Sequence, residues 1–283
     1  MRGKYIAKRR LEELDRLLSE RDKAVLRSLE KCRYLLTGQI RRLHFTDSKT
    51  ETAGLRAASR VMVKLRDFGM ADALERRIGG VRAGSGSYAW TLTESGGNLL
   101  NLRNTENTQR KRSFEPSLNF MKHTLEVSET YVQLTEICRQ NHLELLKTEM
   151  EPECWRPYTG EDGKPASMKP DMFAVTANGE YEDSWFIEVD MNTESPSVVL
   201  DKCRRYTHYC ASGAEQKQHE VFPLVVWLAY SENRENKLKQ YIDDCREISE
   251  KSKGIFVVIM PTEFETLVRN GAGALGEKKG DEK

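Results

Sequence analysis

Three acidic residues stand near the ends of two predicted strands in the second half of the chain. Asp171 follows Lys169-Pro170, and Glu188-Val189-Asp190 ends an apolar run, Trp185-Phe186-Ile187, that we expect to be buried in a sheet. Because residues two apart on a strand point to the same face, Glu188 and Asp190 should project together. Carboxylates on neighbouring strands suit Mg²⁺ or Mn²⁺, and such a cation could lie against a scissile phosphate. The alternative is that these acids mark the solvated end of the strand.

The spacing of these acids resembles the PD-(D/E)xK nuclease core of the restriction-endonuclease-like fold. Glu188 stands seventeen positions after Asp171, which follows a proline as in the family pattern. The pattern continues as Glu-x-Lys, whereas this chain has Asp190 at the lysine position. In that superfamily the catalytic lysine sometimes migrates to the next helix, where this chain has Lys202 and Arg205. With the N-terminal elements described below, the order of parts over roughly residues 17 to 260 resembles the replication-relaxation family, which includes the MobC-type plasmid relaxases.

The resemblance assigns catalytic roles to residues around the acids. It implies that Asp171 and Glu188 ligate Mg²⁺ or Mn²⁺, and that Asp190 is either a further ligand or a sign that catalysis has decayed. Lys202 would neutralise charge developing on the phosphate or orient the nucleophile. Because relaxases use a tyrosine to hold the cleaved strand, Tyr206 and Tyr209 are candidate nucleophiles, although such tyrosines usually pack on the sheet. The expected catalytic set comprises Asp171, Glu188, Asp190, Lys202 and Tyr206.

Composition indicates a two-domain cytoplasmic protein with an uneven distribution of charge. The chain has 283 residues and a net charge of +1, but residues 1–118 contain 25 Lys and Arg against 14 Asp and Glu, a net +11. This asymmetry favours a first half that binds a polyanion, although two solvated domains can also differ in charge without a functional reason. No apolar run approaches the roughly 20 residues of a membrane span, and the start lacks the apolar segment of a secretory signal. The six cysteines form no CxxC pair, which argues against a zinc site and a disulfide framework.

The first domain is predicted to be a winged helix-turn-helix. Amphipathic helices are expected over 19–36, 37–45 and 52–68, with Ser19, Thr37 and Thr52 at their starts and Gly69 after the third. Strands near 71–78 and 88–92 should flank a glycine-rich wing tip, and Thr93 should cap a last helix. In the third helix Leu55, Ala58, Met62 and Leu65 should face inward. Basic residues on that helix and on the wing are the expected DNA contacts: Arg56, Arg60, Lys64, Arg76, Arg77 and Arg82.

The second domain is predicted to be an α/β sandwich. A helix over 123–140 should precede strands over 143–149, 171–177 and 184–190, with a polar loop at 155–164. A helix over 196–210, a strand over 222–230, a helix over 232–249 and a strand over 254–260 should follow. The domain limits are 1–16 for an N-terminal extension, 17–103 for the winged helix, 104–118 for a basic linker, 119–270 for the nuclease-like domain and 271–283 for a disordered tail.

These expectations define an α+β winged helix-turn-helix followed by an α/β restriction-endonuclease-like domain. The leading functional hypothesis is a relaxase or endonuclease that recognises duplex DNA at a plasmid or mobile-element origin. It would nick one strand with Mg²⁺ or Mn²⁺, for mobilisation by conjugation or for replication. The alternative is a DNA-binding replication initiator or transcriptional regulator whose nuclease-like domain is catalytically silent and serves dimerisation. A homodimer and other relaxosome or replication proteins are further expected partners, and no membrane partner is expected.

Overall fold

A computed structural model describes residues 6–74, 88–102, 117–160, 163–179, 181–245 and 254–272. Within these ranges the chain has a mixed α+β fold that divides into two compact units, residues 1–136 and 137–283. The boundary between the units falls inside the helix Leu118–Gln140, and the larger part of this helix belongs to the first unit. The domain limits given above stay predictions, because most of the expected linker and tail lie outside the described residues.

Short helices and a small sheet form the first unit. The helices are α1 (Lys8–Leu17), α2 (Glu20–Cys32), α3 (Thr37–His44), α4 (Glu51–Asp67), α5 (Glu94–Leu100) and the first part of α6 (Leu118–Gln140). The strands are β1 (Leu35–Leu36), β2 (Ala71–Ala73) and β3 (Ala89–Leu92), which form an antiparallel sheet in the order β1-β3-β2. The expected wing tip between β2 and β3 lies outside the described residues.

Capping explains where several helices of the first unit begin and end. Ser19 stands at the start of α2 as predicted and forms a capping pair with Asp22: the Ser19 hydroxyl accepts from the Asp22 amide, and the Asp22 carboxylate accepts from the Ser19 amide. Thr93 is likewise confirmed as the cap of α5, since its hydroxyl accepts from the Gly96 amide at 3.0 Å. Helix α4 begins at Glu51, one residue before the predicted start at Thr52, and Thr50 is its cap, because the Thr50 hydroxyl accepts from the Ala53 amide.

The predicted first long helix was too long at its carboxyl end. Helix α2 stops at Cys32 because Arg33 takes a positive φ of 61°, and the next residues form strand β1. Thr37 is the first residue of α3 rather than its cap, and the Gln39 side chain accepts from the Leu36 amide at this helix start. The Thr37 hydroxyl instead accepts from the Trp90 indole N–H, which ties α3 to β3.

Helix α4 has its predicted length but a slightly different inward face. Ala58, Met62 and Leu65 are buried as expected, whereas Leu55 is exposed. Gly54 takes the inward position one residue earlier, where an added Cβ would come within 3.3 Å of the Arg41 and Ser48 side chains. Gly69 has a φ of +74° after the helix, which confirms it as the glycine that ends α4.

A five-stranded mixed sheet forms the centre of the second unit. Its strands are β4 (Glu144–Met150), β7 (Met172–Asn178), β8 (Tyr181–Asp190), β9 (Leu224–Ala229) and β10 (Phe256–Ile259). The order is β10-β9-β8-β7-β4, with antiparallel pairing from β4 through β8 and parallel pairing from β8 through β10. The last three strands along the chain are therefore parallel.

Helices and one hairpin complete the second unit. The helices are α7 (Pro196–Ser212), α8 (Gln216–His219), α9 (Glu232–Asp244) and α10 (Phe264–Asn270), the last preceded by a 3-10 turn at Pro261–Glu263. Phe186 and Ile187 are adjacent on β8 and point to opposite faces, yet both are buried, so both faces of the sheet are covered. The predicted polar loop at 155–164 was wrong in part, because β5 (Arg156–Thr159) and β6 (Pro165–Met168) form an antiparallel hairpin there. In the described part of the chain, no helix is both long and apolar enough to cross a membrane.

Candidate functional site

The sheet brings the predicted acids to one end of the second unit. Asp171 immediately precedes β7, and Glu188 and Asp190 lie among the last residues of β8. Met172 pairs with Ile187, which places Asp171 beside Glu188. The Val189 amide donates to Asp171 Oδ2 at 2.8 Å, so the backbone of β8 fixes the orientation of this carboxylate. All three acids are buried.

Glu188 accepts hydrogen bonds from two side chains of α7. Tyr206 Oη donates to Oε1 at 2.6 Å, and Lys202 Nζ lies 3.1 Å from Oε2. Lys202 and Tyr206 are four residues apart and therefore share one face of the helix. Phe186, two residues before Glu188, packs on the Tyr206 ring at 5.8 Å between centroids. Strand alternation and helix periodicity together thus build this site.

Burial and charge shift the proton affinities of this group. Burial raises the pKa of Glu188 to about 7; Lys202 opposes this shift and the neighbouring Asp171 reinforces it. Burial disfavours the Lys202 ammonium, but the carboxylates of Glu188, Asp171 and Glu194 outweigh it and hold the pKa of Lys202 above its ordinary value. Burial, with the adjacent Glu188 charge, raises the pKa of Tyr206 well above its ordinary value. The geometry thus provides a protonated lysine and a neutral phenol beside an acid close to its titration point.

Asp190 has a partner that sequence reasoning missed. Arg234 in the first turn of α9 bonds both carboxylate oxygens, with Nε 3.2 Å from each and Nη2 2.6 Å from Oδ2. Both side chains are almost completely buried. The Asn192 amide also donates to Asp190 Oδ1 at 2.6 Å. Asp190, which stands at the lysine position of the Glu-x-Lys pattern, therefore forms an ion pair. The only signal in the sequence for its partner was an arginine near the start of a charged helix.

Glu194 links this ion pair to Lys202. Its Oε1 lies 2.8 Å from Lys202 Nζ, and its backbone carbonyl accepts from Arg234 Nη2 at 2.8 Å. Its second oxygen, Oε2, is buried and has no hydrogen-bond partner among the residues that the structure describes, and the same holds for the indole N–H of Trp227 on β9. Trp227 pairs with Glu188 across the sheet and lies below the Lys202 ammonium, 5.5 Å from it. Sequence reasoning had assigned no role to Glu194 or Trp227.

Tyr209 belongs to a different cluster. Its hydroxyl donates to the buried Glu215 carboxylate, whose Oε2 also lies 3.5 Å from Arg156 Nε. Burial and these contacts with Glu215 raise the pKa of Tyr209 above its ordinary value. The two tyrosines considered as nucleophiles therefore each donate a hydrogen bond to a buried carboxylate, and only Tyr206 contacts a predicted site residue.

The basic residues of α4 differ in their surroundings. Arg56 and Arg60 are exposed. Lys64 forms an ion pair with the buried Asp22, Nζ to Oδ2 2.7 Å, while still lining an open groove between α2 and α4 together with Arg60 and Arg21. The remaining predicted DNA contacts, Arg76, Arg77 and Arg82, lie outside the described residues.

Among the described residues, no three His, Cys, Asp or Glu side chains are arranged to hold a metal ion. A cation at this site would therefore depend on the Asp171 and Glu188 carboxylates. Mg²⁺ is commonly bound in this way, through one or two carboxylates with several waters retained.

One comparison with known proteins gives a match. The model of the family described as replication-relaxation matches residues 26–225, which is more than half of the chain and includes Asp171, Glu188, Lys202 and Tyr206. No curated protein and no solved structure matches the chain.

Proposed function

Because the chain belongs to the replication-relaxation family and so has a DNA-related role in replication or relaxation, we propose that it is a DNA-nicking protein. Its first unit recognises duplex DNA as a winged helix-turn-helix. Its second unit cuts one strand as a PD-(D/E)xK nuclease with Mg²⁺ or Mn²⁺. The observation that carries the proposal is the contact of Lys202 with Glu188 beside Asp171 at one end of the sheet.

The topology of the second unit supports the nuclease assignment. Three antiparallel strands, a helix and a parallel strand follow one another in this unit as β4, β7, β8, α7 and β9, and α6, most of which belongs to the first unit, precedes them in the chain. This is the order expected for a restriction-endonuclease-like core, with the β5–β6 hairpin inserted between its first two strands. Asp171 immediately precedes the second of these strands, Glu188 lies on the third, and Lys202 lies on the helix that follows.

The arrangement of the first unit supports the DNA-binding assignment. Helices α2, α3 and α4 are followed by β2 and β3, and β1 pairs with β3 on the other side. In such a motif the third helix lies in the major groove, and here α4 exposes Arg56 and Arg60. The first unit has 26 Lys and Arg against 17 Asp and Glu, a net charge of +9 that favours phosphate binding.

The donor chemistry of the acids fits a hard divalent cation. Asp171 and Glu188 supply carboxylate oxygens, and the charge of Asp171 contributes to the raised pKa of Glu188. Positive charge between two such acids would be stabilised by both of them. Asp190 is outside the proposed ligand set, because the buried Arg234 guanidinium bonds both of its oxygens and neutralises its charge. When bound, the cation would polarise the phosphate and lower the pKa of the attacking water.

The residues of α7 have separate roles in this proposal. Lys202 stays protonated. Its ammonium breaks its contact with Glu188 and neutralises the negative charge that develops on the phosphate. Tyr206 orients the Glu188 carboxylate through its hydroxyl. The raised pKa of Tyr206 disfavours the phenolate that a covalent mechanism needs. We therefore propose hydrolytic cleavage.

Nicking of supercoiled plasmid tests this proposal. The plasmid would carry the DNA that flanks the coding sequence, and Mn²⁺ binding would be measured by calorimetry in parallel. We expect Asp171→Asn and Glu188→Gln each to lower nicking at least 100-fold and to weaken Mn²⁺ binding, while duplex binding is unchanged. Glu215→Gln is the matched control, because it removes another buried carboxylate that also bonds a tyrosine of α7. Unchanged nicking by both site variants would reject the proposal.

A second candidate function is a silent nuclease-like scaffold in a replication initiator or regulator, with a second copy or replication proteins as partners. The observation that favours it is that both oxygens of Glu188 and of Asp190 already accept hydrogen bonds within the second unit. It predicts duplex binding without Mn²⁺ binding or nicking.

A further inference from the structure

The Lys202 ammonium is shared between two carboxylates. Its Nζ lies 3.1 Å from Glu188 Oε2 and 2.8 Å from Glu194 Oε1. The Asp171 carboxylate is close enough to stabilise the same ammonium electrostatically. Three negative charges therefore face one positive charge, a net charge of −2 when all four groups are ionised. A divalent cation would balance this charge only if the ammonium stayed in the cluster.

A buried ion pair fixes the backbone of Glu194. Glu194 lies between β8 and α7, directly before Ser195 at the start of α7. Its carbonyl accepts from Arg234 Nη2 at 2.8 Å, and Asp190 bonds the Arg234 guanidinium through both carboxylate oxygens. Asp190 and Arg234 are almost completely buried. The Glu194 side chain is therefore presented to Lys202 from an anchored position.

Glu194 also has an acceptor in reserve. Both oxygens of Glu188 accept a hydrogen bond, from Tyr206 and from Lys202, whereas the buried Glu194 Oε2 has no partner among the described residues. A buried acceptor without a donor is unfavourable. The Lys202 ammonium has three donors and already contacts the other oxygen of this carboxylate, so a small shift toward Glu194 would supply the missing bond.

We propose that Glu194 is a positioning residue that receives the Lys202 ammonium when Glu188 ligates Mg²⁺ or Mn²⁺. The ammonium, which is shared between both carboxylates in the structure, then bonds Glu194 alone and stays beside the phosphate. This inference rests on the proposed function and deepens it. Its physical reason is that an ammonium and a divalent cation repel each other at one carboxylate, so that without Glu194 the lysine would be driven out to solvent.

NMR of the whole protein follows the Lys202 ammonium directly. Ammonium protons of a lysine are visible when hydrogen bonds protect them from exchange with water, and they are lost from the spectrum when the group is solvated. The protein is labelled with ¹⁵N-lysine, and the Lys202 signal is assigned by its absence in Lys202→Arg. The titrant is Mg²⁺, which does not broaden signals as Mn²⁺ does.

In the wild type we expect the Lys202 signal to be present in EDTA, to shift on saturation with Mg²⁺ and to remain visible. Loss of the signal with Mg²⁺ would overturn the proposal, because a Glu194 that itself ligated the metal would leave the ammonium unheld. Absence of the signal in EDTA, or a signal that Mg²⁺ does not shift, would also overturn it.

Glu194→Gln removes the receiving carboxylate with little change of shape. Its Lys202 signal should be present in EDTA, because Glu188 still holds the ammonium, and should be lost on saturation with Mg²⁺. Asp201→Asn is the matched control, because it removes an exposed carboxylate of α7 that pairs with Arg205, and its Lys202 signal should remain under both conditions. A signal that survives Mg²⁺ in Glu194→Gln would reject the role of Glu194.

This readout does not depend on cleavage. The expected pattern of signals without any nicking would reject the nuclease and keep the role of Glu194. Nicking that depends on Asp171 and Glu188, with a Lys202 signal that survives Mg²⁺ in Glu194→Gln, would do the reverse.

Discussion

At the scale of single residues, the ionisation of Glu188 links stability to pH. The ordinary pKa of this side chain is 4.5, and in the folded protein it is about 7. Between these values the folded state holds a proton that the unfolded state has lost. The contribution of Glu188 to the free energy of unfolding is therefore fully present below pH 4.5 and is lost as the pH rises to about 7.

Glu188→Gln should remove this pH dependence. One pKa unit corresponds to about 1.4 kcal/mol, so ionisation of Glu188 lowers the free energy of unfolding of the wild type by at most about 3 kcal/mol between pH 4.5 and 7. The variant should lack this decrease. Urea denaturation in EDTA at both pH values measures the difference, with Glu182→Gln as a control exposed on the same strand. Parallel pH profiles of wild type and Glu188→Gln would contradict the prediction.

The ionisation of Glu188 should also govern the affinity of the site for Mn²⁺. A carboxylate must be deprotonated to ligate a cation, so Mn²⁺ affinity should increase as the pH rises through about 7. Calorimetry between pH 5.5 and 8 on the wild type measures this increase, and Glu188→Gln should bind weakly at every pH. An affinity that is constant over this range would place the cation away from Glu188.

At the scale of elements, the buried Asp190–Arg234 pair joins strand β8 to helix α9. Removing Arg234 alone leaves a buried carboxylate without compensation, which typically costs about 3–5 kcal/mol. We expect Arg234→Ala to destabilise the protein by this amount, and Asp190→Ala with Arg234→Ala together to cost less than the sum of the single changes.

Chemical denaturation of the three variants gives the coupling energy of this pair. The exposed pair Arg205–Asp201 on α7 is the control, and Arg205→Ala should cost less than about 1 kcal/mol. Additive effects at Asp190 and Arg234 would show that they do not interact. Because Arg234 also holds the Glu194 carbonyl, its loss should release Lys202 from one of its two carboxylate partners.

The elements also show what sequence patterns can and cannot predict. The family resemblance placed Lys202 and Tyr206 on the helix that follows Glu188, and the three side chains are in contact. Helix periodicity explains how two side chains four residues apart reach the same carboxylate. Such local periodicity carries no information on partners distant in sequence. Arg234 pairs with a residue 44 positions away, and no local pattern marked that contact.

Weak local signals account for the errors in secondary structure. The hairpin strands RPYT and PASM contain proline and lack apolar alternation, so they resembled a loop. Leu55 was assigned to the inward face of α4 because hydrophobicity was the only criterion, whereas close packing selects Gly54 there. The two-residue strand β1 is too short for a periodic signal and depends on its pairing with β3.

At the scale of the whole molecule, charge separates the two units. Residues 1–136 have a net charge of +9, and residues 137–283 have 19 Lys and Arg against 27 Asp and Glu, a net −8. Duplex binding through the first unit should therefore release counterions and weaken as salt increases.

Arg56→Ala with Arg60→Ala should reduce the slope of log Kd against log salt by about 2, because each arginine neutralises about one phosphate. Fluorescence anisotropy with a labelled duplex between 50 and 300 mM salt measures the slope, and Arg205→Ala in the acidic unit should leave it unchanged. If both variants changed the slope equally, the basic face of α4 would not be the phosphate-binding surface, and duplex recognition would have to lie elsewhere in the chain.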